Sequence, residues 1–232
     1  MANWFLGRAL AEEAEAENAA WSFLGEGAAF WVTVAVLLVV GVAVYLVTRK
    51  KSSKKSFWTA KTMAVGAMCM ALSSVLSLIK LWSMPMGGSV TPASMLPLLL
   101  FAYCYGVGPG MVLGALYGVM QFLLDGMAWA ALGAIPNLLD YPIAFGLLGL
   151  AGCFRGSKAK MTASFVLGCF GRFMASFLSG FIFYGQYAPE GVNPVWYSLT
   201  YNGSYMLVEC IICIALGLLV GERLAKELKK VA

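Results

Sequence analysis

The chain of 232 residues contains no histidine. That absence removes serine–histidine and cysteine–histidine nucleophilic catalysis and histidine-ligated metals together. Charge is scarce too, at 12% of residues, against about 25% in soluble domains. No G-x-x-x-x-G-K-[ST] phosphate loop occurs, and the length leaves no room for a separate ATP-binding or soluble catalytic domain. Paired catalytic acids and nucleophile motifs are also missing, so an intramembrane enzyme is set aside. No metal or cofactor is expected.

What is present is apolar. Hydrophobic residues make up 61% of the chain and the mean hydropathy is +0.81, the composition of an all-α integral membrane protein. The six cysteines lie in or beside apolar segments, where thiols behave as small hydrophobes. Cys210 and Cys213 form a C-x-x-C flanked by Ile and Leu, with no second pair to complete a metal site.

Residues 1–28 are acidic and read as an extracellular segment rather than a secretory signal, which would open with a basic region. Residues 29–56 read as a transmembrane anchor, about 29–48, followed by the basic linker "RKKSSKK". Residues 57–232 carry six further spans, near 57–80, 93–107, 109–125, 132–153, 161–184 and 196–220, and a short basic tail. Basic residues cluster on alternate loops, at Arg49 to Lys61, at Arg155, Lys158 and Lys160, and at Arg223, Lys226, Lys229 and Lys230. The positive-inside rule then places the amino terminus outside and the carboxyl terminus in the cytoplasm. The formal charge of +5 reflects that topology and not a nucleic-acid surface.

Within this frame "NLLDYPIAFG" places the carboxylate of Asp140 inside a span, where it costs roughly 2.5–3.5 kcal/mol and calls for a partner or a task. At 1.5 Å per residue, Asp140 and Asn202 both lie about 9 Å below the outer boundary, and Ser176, about 21 Å up from the cytoplasm, falls level with them. Tyr141, Tyr184, Trp196, Tyr197 and Trp129 sit just above. Trp129 and Trp196 fit an interfacial belt equally well, whereas Tyr184 and Tyr197 read as pocket walls. A carboxylate beneath aromatic faces suits a flat organic cation. The competing explanation is a structural ion pair: Arg172, near about 15 Å, can neutralise Asp140 or Glu209, and the depth of Glu209 at about 10 Å favours Arg172 with Glu209.

Small residues repeat every four positions at Gly110, Gly114 and Gly118, and at Ala60/Ala64 and Ala67/Ala71. Close helix packing inside the bundle explains the glycines; for the alanines a partner protein competes equally.

Three stretches, "GGSVTPASMLPLLL", "LLDYPIAF" and "FIFYGQYAPEGVNPVWYSLTYNG", carry a family resemblance. Across about 57–225 the chain resembles the thiamine-specific substrate-binding (S) component of bacterial energy-coupling factor (ECF) transporters. The resemblance implies a six-helix bundle, here with one added amino-terminal helix, that holds a vitamin near the outer face beneath the loop at about 81–92. It implies a site of Asp140 and Tyr141, Ser176 and Tyr184, Tyr197 and Asn202, overlapping the layer found by depth. Asp140 stands where the family has Glu, Ser176 where it has a stacking His, and Tyr184 where it has Trp, which leaves a thiamine precursor or another vitamin open. The resemblance further implies a bacterial plasma-membrane location, a transmembrane coupling subunit docked at Ala67 and Ala71, and ATP hydrolysis by two partner ATPases. A stand-alone proton-coupled carrier, titrating at Asp140 or Glu209, is the rival reading.

Overall fold

In hydrocarbon every backbone amide must be satisfied internally, so long apolar runs become helices. The protein was analysed as a computed structural model that describes residues 58–85, 87–127, 133–189 and 191–231. The acidic segment 1–28, the anchor and linker at 29–56, and Trp129 lie outside the described residues.

Helix α1 (Ala60–Leu78) opens with a reciprocal cap: Thr62 N donates to Thr59 Oγ1 at 3.2 Å, and Thr59 N donates to Thr62 Oγ1 at 2.9 Å. Its buried residues, Thr62, Val65, Gly66, Cys69, Ser73 and Ser77, form one narrow stripe. A two-stranded hairpin follows, β1 (Trp82–Ser83) against β2 (Ser89–Val90), with Trp82 opposite Val90. Then come α2 (Leu96–Tyr105) and α3 (Val107–Gln121), the latter extended by a π-helical turn at Phe122–Gly126. Helix α4 (Ala134–Gly152) and α5 (Lys158–Ile182) precede α6 (Pro194–Leu216). A wide turn at Gly217–Gly221 leads from α6 into α7 (Glu222–Val231).

Among the described residues, five stretches are long and apolar enough to cross a membrane: α1, α3 with its π turn, α4, α5, and α6 continued to Leu228. The third of the expected spans, near 93–107, is a short one. Helix α2 has ten residues and reaches only about 15 Å. All ten are buried, so the short helix and the irregular segment before it are shielded by protein rather than lipid, the one setting in which non-helical backbone is tolerated at that depth. Uniformly apolar sequence could not show the difference, because a core helix and a lipid-facing helix are equally greasy.

The glycine stripe packs inward. A Cβ at Gly114 would overlap the Phe145 carbonyl, one at Gly118 the Tyr141 carbonyl and Pro142, and one at Gly110 would meet Ala102 and Gly149. Gly149 returns the contact against the Met111 amide. Backbone therefore lies on backbone between α3 and α4. Among the five long helices α4 is also the most enclosed, with 56% of its apolar stretch buried against 28–44% in the other four.

At the opposite end from the hairpin, α7 folds under α2: Tyr105 Oη donates to the Leu228 carbonyl at 2.7 Å, and Lys158 lies 3.9 Å from Glu222. Gly106 makes the α2–α3 corner at φ 108° and ψ 175°, a region open essentially to glycine alone, and the Arg155 guanidinium fills the space beside it. Gly106→Ala is expected to cost about 1–3 kcal/mol of stability, read as a lower thermal midpoint in detergent with ligand affinity unchanged.

Candidate ligand-binding site

Near its middle, α4 departs from regular helix. Pro142 has no amide to donate, and the turn Leu139–Ile143 widens into a π-helical one, the form that lets a helix ladder step past a missing donor and that recurs at functional sites. Asp140 and Tyr141 sit on this turn. Both face a cavity of about 120 Å³ enclosed by α3, α4, α5 and α6 beneath the hairpin.

The cavity brings together six of the side chains singled out in the sequence: Asp140, Tyr141, Ser176, Tyr184, Tyr197 and Asn202. Arg172 also lines it. Glu209 does not; it lies below, 1% exposed. Trp196 points away and is 64% exposed. Ala67 and Ala71 are remote, on the exposed side of α1 with Met68 and Leu72.

The polar groups are held in place from behind. Ser179 Oγ donates to Asp140 Oδ2 at 2.8 Å, and Ser176 lines the cavity alongside. Asn202 Nδ2 donates to the Ser198 carbonyl at 3.1 Å and to Ser198 Oγ at 3.2 Å, while Tyr205 Oη donates to Asn202 Oδ1 at 3.1 Å. Ser198 Oγ in turn donates to the Phe177 carbonyl at 2.7 Å, tying α6 to α5. Gly180 makes this approach feasible, since a Cβ there would overlap Ser198 Oγ.

Charges are shared out unevenly. Glu209 accepts hydrogen bonds from Thr91 Oγ1 and from Ser94 Oγ, the latter at 2.9 Å, and its Oε2 lies 3.9 Å from Arg172 Nη1. The Arg172 guanidinium carbon sits 4.2 Å from the centre of the Phe145 ring, within cation–π range. At the rim Lys80 Nζ binds both oxygens of Asp125, at 2.8 and 3.0 Å. Asp140 takes part in none of the ion pairs among the described residues; its hydrogen-bond partner is the Ser179 hydroxyl.

Several lining residues escaped the sequence reading. Tyr201 and Tyr205 continue from Tyr197 at helical spacing, with successive ring centres 6.0 Å apart. That four-residue rhythm was visible but reads equally as core packing. Gly88 lies against the Tyr205 ring, and its amide donates to Tyr201 Oη at 3.3 Å, seating the hairpin on α6. Gln121 and Asp125, one turn apart on α3 and its extension, complete the wall. A carboxylate held by a hydroxyl donor and ringed by tyrosines can hold a flat cation and orient it by side-chain hydrogen bonds.

Comparison with known proteins places this geometry. The family model described as thiamine transporter protein (Thia_YuaJ) matches residues 63–228. A thiamine transporter ThiT of Bacillus subtilis is 39% identical over a match spanning 56% of this chain and 73% of the relative. One from Lacticaseibacillus paracasei is 32% identical over 52% of this chain and 67% of the relative. A solved structure of ThiT from Listeria monocytogenes superposes with a TM-score of 0.61 at 20% identity, covering 73% of this chain and 96% of that one, which establishes the shared fold.

Proposed function

Because the chain belongs to the thiamine transporter protein family, we propose that it is the membrane subunit that captures thiamine, with Asp140 as the counter-charge of the bound vitamin. The observation that carries this reading is the Asp140 carboxylate, which faces the cavity hydrogen-bonded to the Ser179 hydroxyl and takes part in no ion pair among the described residues. A buried charge left in that state is costly unless something completes it, and thiamine brings a permanent positive ring. Tyr184 stacks on the ligand, while Tyr197 and Asn202 supply hydrogen bonds; Asn202 is already oriented by Ser198 and Tyr205. The protein is a transporter component and not an enzyme.

Capture takes place from the outside. The cavity lies beneath the hairpin, and the basic residues Arg155, Lys158, Lys160, Arg223, Lys226 and Lys230 belong to the segments around the starts of α5 and α7, the cytoplasmic side by the positive-inside rule. The six-helix domain is taken as 57–232, with residues 29–56 as an added anchor. Energy comes from partners: the exposed side of α1 around Ala67 and Ala71 offers small residues to a transmembrane coupling subunit, which links it to two ATPases.

The test is a titration of the purified chain with thiamine, followed by tryptophan fluorescence. Saturable one-to-one binding is expected, and a flat response up to millimolar ligand would discard the reading. Tyr184→Ala should weaken binding about fivefold, the equivalent of roughly 1 kcal/mol of ring contact, while Tyr184→Phe stays close to wild type. Reconstituted in vesicles, the chain should accumulate thiamine only with its ATPase partners; uptake without them that collapses with the proton gradient would favour the stand-alone carrier.

A further inference from the structure

Beneath the cavity the structure sets one guanidinium between two carboxylates. Arg172 and Asp140 line the same space, as does Ser176, one turn above Arg172 on α5. Arg172 is nevertheless engaged on its other side, 3.9 Å from Glu209 and over the Phe145 ring. At 3.9 Å the link to Glu209 is Coulombic rather than a hydrogen bond, and Arg172 Nε has no hydrogen-bond partner. What fixes the arrangement is Glu209 itself. Its carboxylate is pinned by Thr91 and Ser94 from the segment that joins the hairpin to α2, and Thr91 Oγ1 also accepts the Ser94 amide at 3.2 Å.

We propose that Glu209, which touches no part of the cavity surface, is a positioning residue for ligand affinity: by engaging Arg172 it keeps the guanidinium from neutralising Asp140. This rests on the reading of Asp140 as the ligand's counter-charge. The guanidinium that lines the cavity is thereby assigned to the acid that is not needed for binding. In a medium of low dielectric a guanidinium released by Glu209 gains most by moving to the remaining anion. A second consequence is that the Thr91–Ser94 segment helps to set the charge of the cavity floor without contacting the ligand.

The test compares thiamine with an uncharged analogue in which carbon replaces the thiazolium nitrogen, in wild type, Glu209→Gln, Arg172→Gln/Glu209→Gln and Asp140→Asn. Glutamine keeps acceptors for Thr91 and Ser94 but gives up the charge. Glu209→Gln should lower thiamine affinity about fivefold and leave the uncharged analogue within twofold. The double variant, with neither charge of the pair, should return the ratio of the two affinities to within about twofold of wild type. An equal loss for both ligands, or a folded Glu209→Gln with unchanged thiamine affinity, overturns the inference. If the single variant does not fold, the double variant decides alone: the ratio stays near that of wild type or the inference fails. Asp140→Asn separates the two claims, because an unaltered ratio there removes the reading of Asp140 itself.

Discussion

Asp140→Asn is expected to weaken thiamine binding at least tenfold, about 1.4 kcal/mol, with the fold intact. Asparagine matches aspartate in shape, and its carbonyl oxygen can still accept the hydrogen bond that Ser179 now gives to the carboxylate at 2.8 Å. What disappears is the charge. A pair of unit charges about 4 Å apart is worth roughly 4 kcal/mol at an effective dielectric of 20, and part of that is offset by desolvating the ligand. The folded variant gains stability or holds level, because an unpaired buried charge has been removed. Calorimetric titration of both proteins, beside their thermal midpoints without ligand, reads the two quantities separately. Unchanged affinity in the variant would leave Asp140 a structural group. Asp140→Glu supplies the complementary arm: its extra methylene moves the carboxylate toward the ligand, and affinity should hold or rise.

The second large effect concerns the scaffold. Gly114→Val should leave little folded protein after extraction. The valine Cβ would overlap the Phe145 carbonyl and crowd Gly146, and both obstacles are backbone, which cannot turn aside as a side chain can. Overpacking a core typically costs about 1–3 kcal/mol; with a carbonyl as the obstacle the cost lies at or above the upper end. The expected readout is aggregation or a much lowered midpoint in detergent. Gly108→Val is the control, since nothing lies within 4 Å of a Cβ there and a valine should be tolerated. If Gly114→Val behaves like Gly108→Val, the close contact of α3 and α4 is wrong.

The helices were legible in the sequence because bilayer thickness fixes the length of an apolar run, and the boundaries of α1, α3, α4, α5 and α6 fall where hydropathy changes. The enclosure of α2 was not legible, since shielding from lipid by neighbouring protein leaves no mark on a uniformly apolar segment. The hairpin also escaped: two-residue strands within "WSMPMGGSV" are too short to show alternation. For the candidate site, depth along three helices brought Asp140, Ser176 and Asn202 to one level, because helical rise is a reliable ruler. Rotation about each helix axis is not read so easily, and Tyr201, Tyr205 and Gln121 were missed for that reason. The partners of Glu209 were out of reach altogether, as Thr91 and Ser94 lie 118 and 115 positions away and a hydroxyl on an apolar segment announces nothing.

The contact of bare main chain on main chain along α3 and α4 has a bearing on how such a protein can diversify. Where no side chain intervenes between two helices, there is nothing to trim or enlarge, and the spacing of α3 and α4 is frozen against drift even though the side chains they turn to the chamber, Asp140 and Tyr141 among them, are not. The opposite half is built from hydroxyls and rings on α5 and α6, at Ser176, Tyr184, Tyr197 and Tyr201, where one residue can be exchanged for another without moving a helix. A lineage acquiring a new cargo would therefore rewrite the side chains around the chamber and inherit the distance between α3 and α4.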